Sequence, residues 1–297
     1  MTPDNPSDWL WRQKHHDFAV VDRLTVEEMP DIPHIDLVPK ILEGDAAKLP
    51  CLLLLSSMSS NDRTRLFERN DRAIETGDTP LFRTLLATDV SAEYLARHLC
   101  SQLVVELPQG RFLLRYYDPR VMHQLAWMLS PARFMALLGP VRTWTMLCGK
   151  TWMSAPCPSG EDAPRSLAPI SRKQGDRLLS IDLINAVIAQ SNMTEQVDRQ
   201  DSGRRIYALL GHARQKYGFL DDHDLVAFAQ HGLRLGEKFD EHPRVLEIIA
   251  SLDDEISFRD ACDVLDEDVW QSIRTDLENT RNTISRPPTF PENGTTS

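Results

Sequence analysis

No apolar stretch of this 297-residue chain approaches the roughly 18 residues that suggest a membrane span. Its start, MTPDNPSDWLWRQKHH, lacks the basic segment and apolar core of a secretory signal. Cysteine is scarce and scattered. Cys51, Cys100, Cys148, Cys157 and Cys262 are odd in number and form no CxxC pair, which argues against a disulfide framework and fits reduced thiols in the cytoplasm. Signatures of catalysis are missing as well: no GxGxxG, GxSxG, HExxH or EF-hand pattern occurs. CGKT at 148–151 copies the end of a phosphate-binding loop, but Trp144 stands where the first glycine of that loop is required. No internal repeat of fixed period is present.

Net positive charge is also lacking. The formal charge is −11, which disfavours nonspecific binding to nucleic acid or anionic membrane. It is unevenly spread: residues 221–268 hold 15 Asp/Glu against 4 Lys/Arg, whereas residues 110–150 hold six Lys/Arg and one acid, Asp118. A two-ended charge distribution suits oriented binding to other proteins, and a solvated acidic helical surface accounts for the acidic half equally well.

The patterns divide the chain into an N-terminal extension (1–16), an α/β (α+β) lobe (17–155), a Pro-rich linker (156–176), a helical lobe (177–275) and a disordered tail (276–297). In the first lobe FAVVDRL, PCLLLLSS and TPLFRTLLAT read as strands, the second as one buried on both faces. The segment 29–45, with three prolines, reads as loop with short helical pieces. Ser91 is placed to cap a helix over AEYLARHLCSQL, and two apolar runs around PQG at 108–110 read as a hairpin. Beyond the linker, caps and helical spacing recur: Gly218 as a helix stop, acids opening 221–224, Pro243 near a helix start, and the Ser257/Asp260 pair.

RFLLRYYDPRV, residues 111–121, is the most unusual stretch. Asp118 suits an N-cap and Pro119 the first helical position, so Asp-Pro reads as a corner into a helix that turns Val121, Leu125 and Met128 or Leu129 inward. Gly139-Pro140 reads as a second structural turn. His212, His223, His231 and His242 include no i, i+4 pair, so no metal site is expected. Ser56, Ser57, Ser59 and Ser60 lack a glycine elbow, and Cys148 lies close in sequence to Arg142 and Lys150; neither group forms a recognisable catalytic set. Arg111, Arg115, Arg120, Arg133 and Arg142 alternate with Tyr116, Tyr117, Trp127 and Trp144, a composition found at protein interfaces and at nucleic-acid sites. The acidic chain favours the former, and any single arginine is accounted for as well by an ion pair or a stack within the fold.

GRFLLRYYDPRVMHQLAWML, followed by FMALLGPVRTW and KTW, resembles the Tap/TEC-type adaptor chaperones of the bacterial type VI secretion system. The similarity lies in Leu114, Arg115, Tyr116, Tyr117, Asp118, Pro119 and Arg120, read as the end of a strand, and in Phe134, Gly139, Pro140 and Trp144. It extends over about 18–154. The resemblance implies a non-enzymatic cytoplasmic protein that binds one toxic effector and promotes its loading onto the VgrG spike. It implies no cofactor or metal, and no nucleic acid, membrane or small-molecule substrate as partner. Arg111, Arg115, Tyr117, Arg120, Arg142 and Trp144 are then the expected partner-binding residues. Asp118, Pro119, Gly139 and Pro140 form the structural corners. The alternatives are a hydrolase using the Ser56–Ser60 loop or Cys148, and a regulatory scaffold outside secretion.

Overall fold

Short apolar strands alternating with capped amphipathic helices make an α/β unit, and a run of capped helices makes a second, all-helical one. The computed structural model describes residues 6–27, 29, 31–157, 170–191, 199–253 and 255–284. The first compact unit runs to Ile181 and the second begins at Asp182. Much of the Pro-rich linker lies outside the described residues.

In chain order the first unit contains α1 (Trp9–His15), β1 (Phe18–Asp22), α2 (Arg23–Glu27), β2 (His34–Asp36), β3 (Pro50–Leu54), α3 (Ser60–Thr76) and β4 (Thr84–Thr88). There follow α4 (Ala92–Gln102), β5 (Val104–Leu107), β6 (Gly110–Leu113), α5 (Pro119–Met128), α6 (Pro131–Leu138), β7 (Val141–Cys148), β8 (Thr151–Pro156) and α7 (Arg172–Leu178). Six strands form an antiparallel sheet in the order β2-β3-β1-β4-β7-β8, and β5-β6 is a separate hairpin.

The central strands β1, β3 and β4 are buried on both faces, because helices cover the sheet on either side. On one face Ala19, Val21, Cys51, Leu53 and Leu85 meet Leu66 and Phe67 of α3, with Phe67 edge-on to Phe82 at 5.2 Å. On the other, α5 packs against β7, and Val121, Leu125, Met128 and Leu129 are all buried. Burial at this scale, about 25 cal/mol for each Å² of apolar surface, is what holds a sheet of such short strands together.

Three segments depart from the sequence expectation. The extension contains α1, whose Arg12 is wholly buried: its Nη2 donates to Asp71 Oδ2 of α3 at 2.6 Å and its guanidinium lies 4.7 Å from the centre of the Trp152 ring. Residues 60–76, which no strand or helix pattern singled out, form the longest helix of the unit. Its apolar stripe is only a few residues wide, and Ser59 and the left-handed Gly77 define its ends. The loop at 29–45 contains the edge strand β2, three residues being too few to register as a periodic pattern.

The second unit contains α8 (Ile181–Gln190), α9 (Arg199–His212), α10 (Asp222–Leu235), α11 (Pro243–Ala250), α12 (Phe258–Asp263) and α13 (Glu267–Ile284). The last helix continues through 276–284, correcting the disordered reading for that part of the tail. A π-helical turn at Ala213–Tyr217 joins α9 to Gly218. It is held by the buried carboxylate of Asp240, which accepts from His212 Nε2 at 2.7 Å, Lys216 Nζ at 2.8 Å and Tyr217 Oη at 2.7 Å. Among the described residues no helix is long and apolar enough to cross a membrane.

Asp71→Ala leaves the Arg12 charge buried without its carboxylate, and the expected loss of stability is about 3 kcal/mol. Urea unfolding checks this; an unchanged midpoint would show that α1 is not anchored through Arg12.

Candidate functional site

The stretch 111–121 leaves the β5-β6 hairpin and enters α5 through a corner whose backbone is held from several sides. β6 ends at Leu113, so Leu114 to Tyr117 are not strand, a correction to the expected pattern. Their hydrogen bonds go elsewhere. Leu114 N–H donates to the Leu103 carbonyl at 2.8 Å, Asp118 N–H to the Arg115 carbonyl at 2.9 Å, and the Thr84 hydroxyl to the Tyr117 carbonyl at 2.7 Å. Tyr116 is fully buried, donates its hydroxyl to the Leu99 carbonyl at 2.8 Å, and meets Tyr117 and Trp144 edge-on at 5.9 and 6.1 Å.

Asp118 is the N-cap of α5 and accepts the Arg120 backbone N–H at 2.9 Å, while Pro119 occupies the first turn. The Arg120 side chain returns to the same carboxylate, with Nη2 2.6 Å from Oδ2. Burial alone would raise the Asp118 carboxyl, but the hydrogen bonds from the Arg120 side chain and backbone outweigh it and hold the pKa below the ordinary carboxylate value. Burial lifts the Tyr117 phenol above its ordinary value, against the nearby Arg115 guanidinium, which lies 5.8 Å from the ring centre.

The corner lines a cavity of about 310 Å³ with Asp22, Arg83, Arg115, Tyr117, Asp118 and Arg120 among its walls. Arg115 lies 3.7 Å from Asp22 and about half of its side chain is exposed; Arg120 is two-thirds exposed. The pocket therefore presents several guanidinium groups over an aromatic floor, an arrangement that receives carboxylates and planar polar groups through charge-assisted hydrogen bonds.

The expected interface residues do not form a single face. Tyr117 and Trp144 are 7% and 4% exposed; Trp144 is a core residue, not a surface anchor, because β7 is an inner strand covered by α5. Arg142 is paired with Asp89 at 2.8 Å. It lies at the far end of β4, since Thr88 pairs with Val141 whereas the corner adjoins Thr84. Arg111 pairs across the hairpin with Glu106 at 3.1 Å. Arg83 belongs to the cavity and went unnoticed, being exposed just before a buried strand with nothing around it to mark it. Gly139 ends α6 at φ +55°, where a Cβ would strike the His98 ring, and the Pro140 carbonyl accepts from the Thr88 hydroxyl at 2.6 Å.

Two other places bear on chemistry. Ser57 and Ser59 line a groove of about 880 Å³ that no histidine lines, and the Ser59 hydroxyl caps α3. Cys148 Sγ lies 2.9 Å from His123 Nε2, a pairing that adjacency in sequence did not suggest.

Residues 44–135, which include the corner, match a family described as "Domain of unknown function (DUF4123)". No curated protein and no solved structure matches the chain.

Asp118→Ala is expected to cost about 1–2 kcal/mol, and Asp118→Asn much less because asparagine caps equally well. The depressed carboxyl pKa stabilises the fold above the ordinary carboxylate range, and that contribution is lost as pH falls through the folded-state value. Urea midpoints between pH 6 and 3 should therefore decline more steeply for wild type than for Asp118→Asn. Parallel curves would refute the assignment.

Proposed function

We propose that residues 44–135, which match a domain of unknown function, form a domain of the Tap/TEC-type type VI secretion chaperones, and that the protein is a non-catalytic adaptor. It binds one effector in the bacterial cytoplasm and promotes its loading onto the VgrG spike. The family match carries this reading. It is supported by the position of the corner inside the matched segment and by the exposed arginines gathered around its cavity. The corner provides a fixed backbone with guanidinium groups on its rim, and such a rim recognises carboxylates or backbone carbonyls of a partner with little ordering cost.

Within this reading Arg83, Arg115 and Arg120 are the contact residues and Tyr117 supports them from below. Arg142 and Arg111 are separate surface positions, each already in an ion pair. Effector and spike are the two protein partners.

The His123–Cys148 contact favours one second reading, a thiol enzyme, since a histidine within hydrogen-bond reach is what activates a cysteine nucleophile.

Arg115→Glu combined with Arg120→Glu is expected to weaken the complex with its effector by tenfold or more, about 1.4 kcal/mol, with circular dichroism unchanged. Co-purification and titration measure it, and undiminished binding by the folded variant would remove this surface from the proposal. Cys148→Ser should leave effector delivery intact; loss of delivery with binding retained would favour the thiol enzyme.

A further inference from the structure

The free edge of the six-stranded sheet carries a group of side chains unrelated to the corner. β2 pairs on one side only, with β3. Alternation along a strand puts His34 and Asp36 on the same face, and the register sets Asp36 opposite Cys51. An imidazole, a carboxylate and a thiol therefore converge, their ligand atoms all within 4.8 Å of one another. Cys51 Sγ is 3.3 Å from Asp36 Oδ1, and His34 Nε2 is 3.8 Å from that same oxygen.

Two contacts orient the group. His34 Nδ1 lies 2.8 Å from the Ile32 carbonyl oxygen. A carbonyl only accepts, so Nδ1 carries a proton, and Nε2 is the ring nitrogen that faces the carboxylate. A cation held by both groups would take the place that a proton on Nε2 otherwise occupies. A backbone carbonyl on the other ring nitrogen is also the usual way a metal-binding histidine is held. Asp36 Oδ2 is held by Arg23 at 2.7 Å, leaving Oδ1 for the other two groups. Arg23 and a bound cation would share the carboxylate through different oxygens.

We propose that His34, Asp36 and Cys51 bind a divalent cation of the zinc class, with a fourth, water-filled position toward the solvent. A nitrogen, oxygen and sulfur donor set selects zinc over magnesium or calcium. Tetrahedral zinc bonds of about 2.0–2.3 Å put ligand atoms roughly 3.3–3.7 Å apart, close to two of the separations, and the third, between His34 and Cys51, lies within 4.8 Å. Without a cation the Cys51 thiol donates its S–H to Asp36 Oδ1. On binding, the S–H bond breaks, its proton passes to solvent, and a sulfur–metal bond forms as the ion sheds water. The product is a cross-strand clip on an edge strand of three residues.

The test is titration of the full-length, reduced, metal-free protein with cobalt(II). One equivalent should produce a thiolate-to-cobalt charge-transfer band and tetrahedral ligand-field bands, and zinc should displace both. Cys51→Ser should abolish the charge-transfer band, whereas Cys148→Ser, at the other cysteine–histidine contact, should keep it. Because Cys51 lies in the core, the half-buried His34 gives an independent variant: His34→Gln should weaken cobalt binding by roughly tenfold or more. A folded wild type without the band, a band that survives Cys51→Ser, or one lost in Cys148→Ser would each overturn the site.

Discussion

The hydroxyl of Tyr116, buried and donated to the Leu99 carbonyl, is the constraint on which the candidate site depends. It ties the segment leaving the hairpin to α4, while Thr84 ties the next residue to β4. With both attachments made, the chain has one way to enter α5, and Asp118 falls where its carboxylate caps the helix. A buried phenol without an acceptor costs more than the bond itself contributes, so the Tyr116 bond, with the Thr84 bond and the Asp118 cap, sets the shape of the corner.

Arg115 and Arg120 stand on a backbone whose shape is set by buried hydrogen bonds; the Arg115–Asp22 pair is exposed on both sides, whereas Arg120 pairs with a largely buried Asp118. An exposed pair such as Arg115–Asp22 contributes little to stability, so a competing carboxylate would displace it at small cost.

The same division applies elsewhere in the molecule. Arg12 and Asp240 are buried charges held by several partners, and each secures a helical element that lacks a wide apolar face: α1 in one case, the π-helical turn in the other. Where hydrophobic contact is thin, a charge-assisted bond in low dielectric provides the specificity that packing cannot.

The sequence by itself determined the two-part architecture, most strands, the helix caps at Ser91 and Ser257, the acidic start of α10, and the Asp-Pro entry to α5, because these depend on local spacing and on backbone groups within a few residues. It also carried the motif on which the family resemblance rests. Tertiary structure alone decided which charges share a surface. Arg83 and Arg115 are 32 positions apart and line one cavity, whereas Trp144 goes into the core and Arg142 to the other end of β4. Strand order and register bring such residues together or part them, and the contacts that set strand order lie far apart along the chain. For the same reason His34, Asp36 and Cys51 form a group only once β2 is paired with β3.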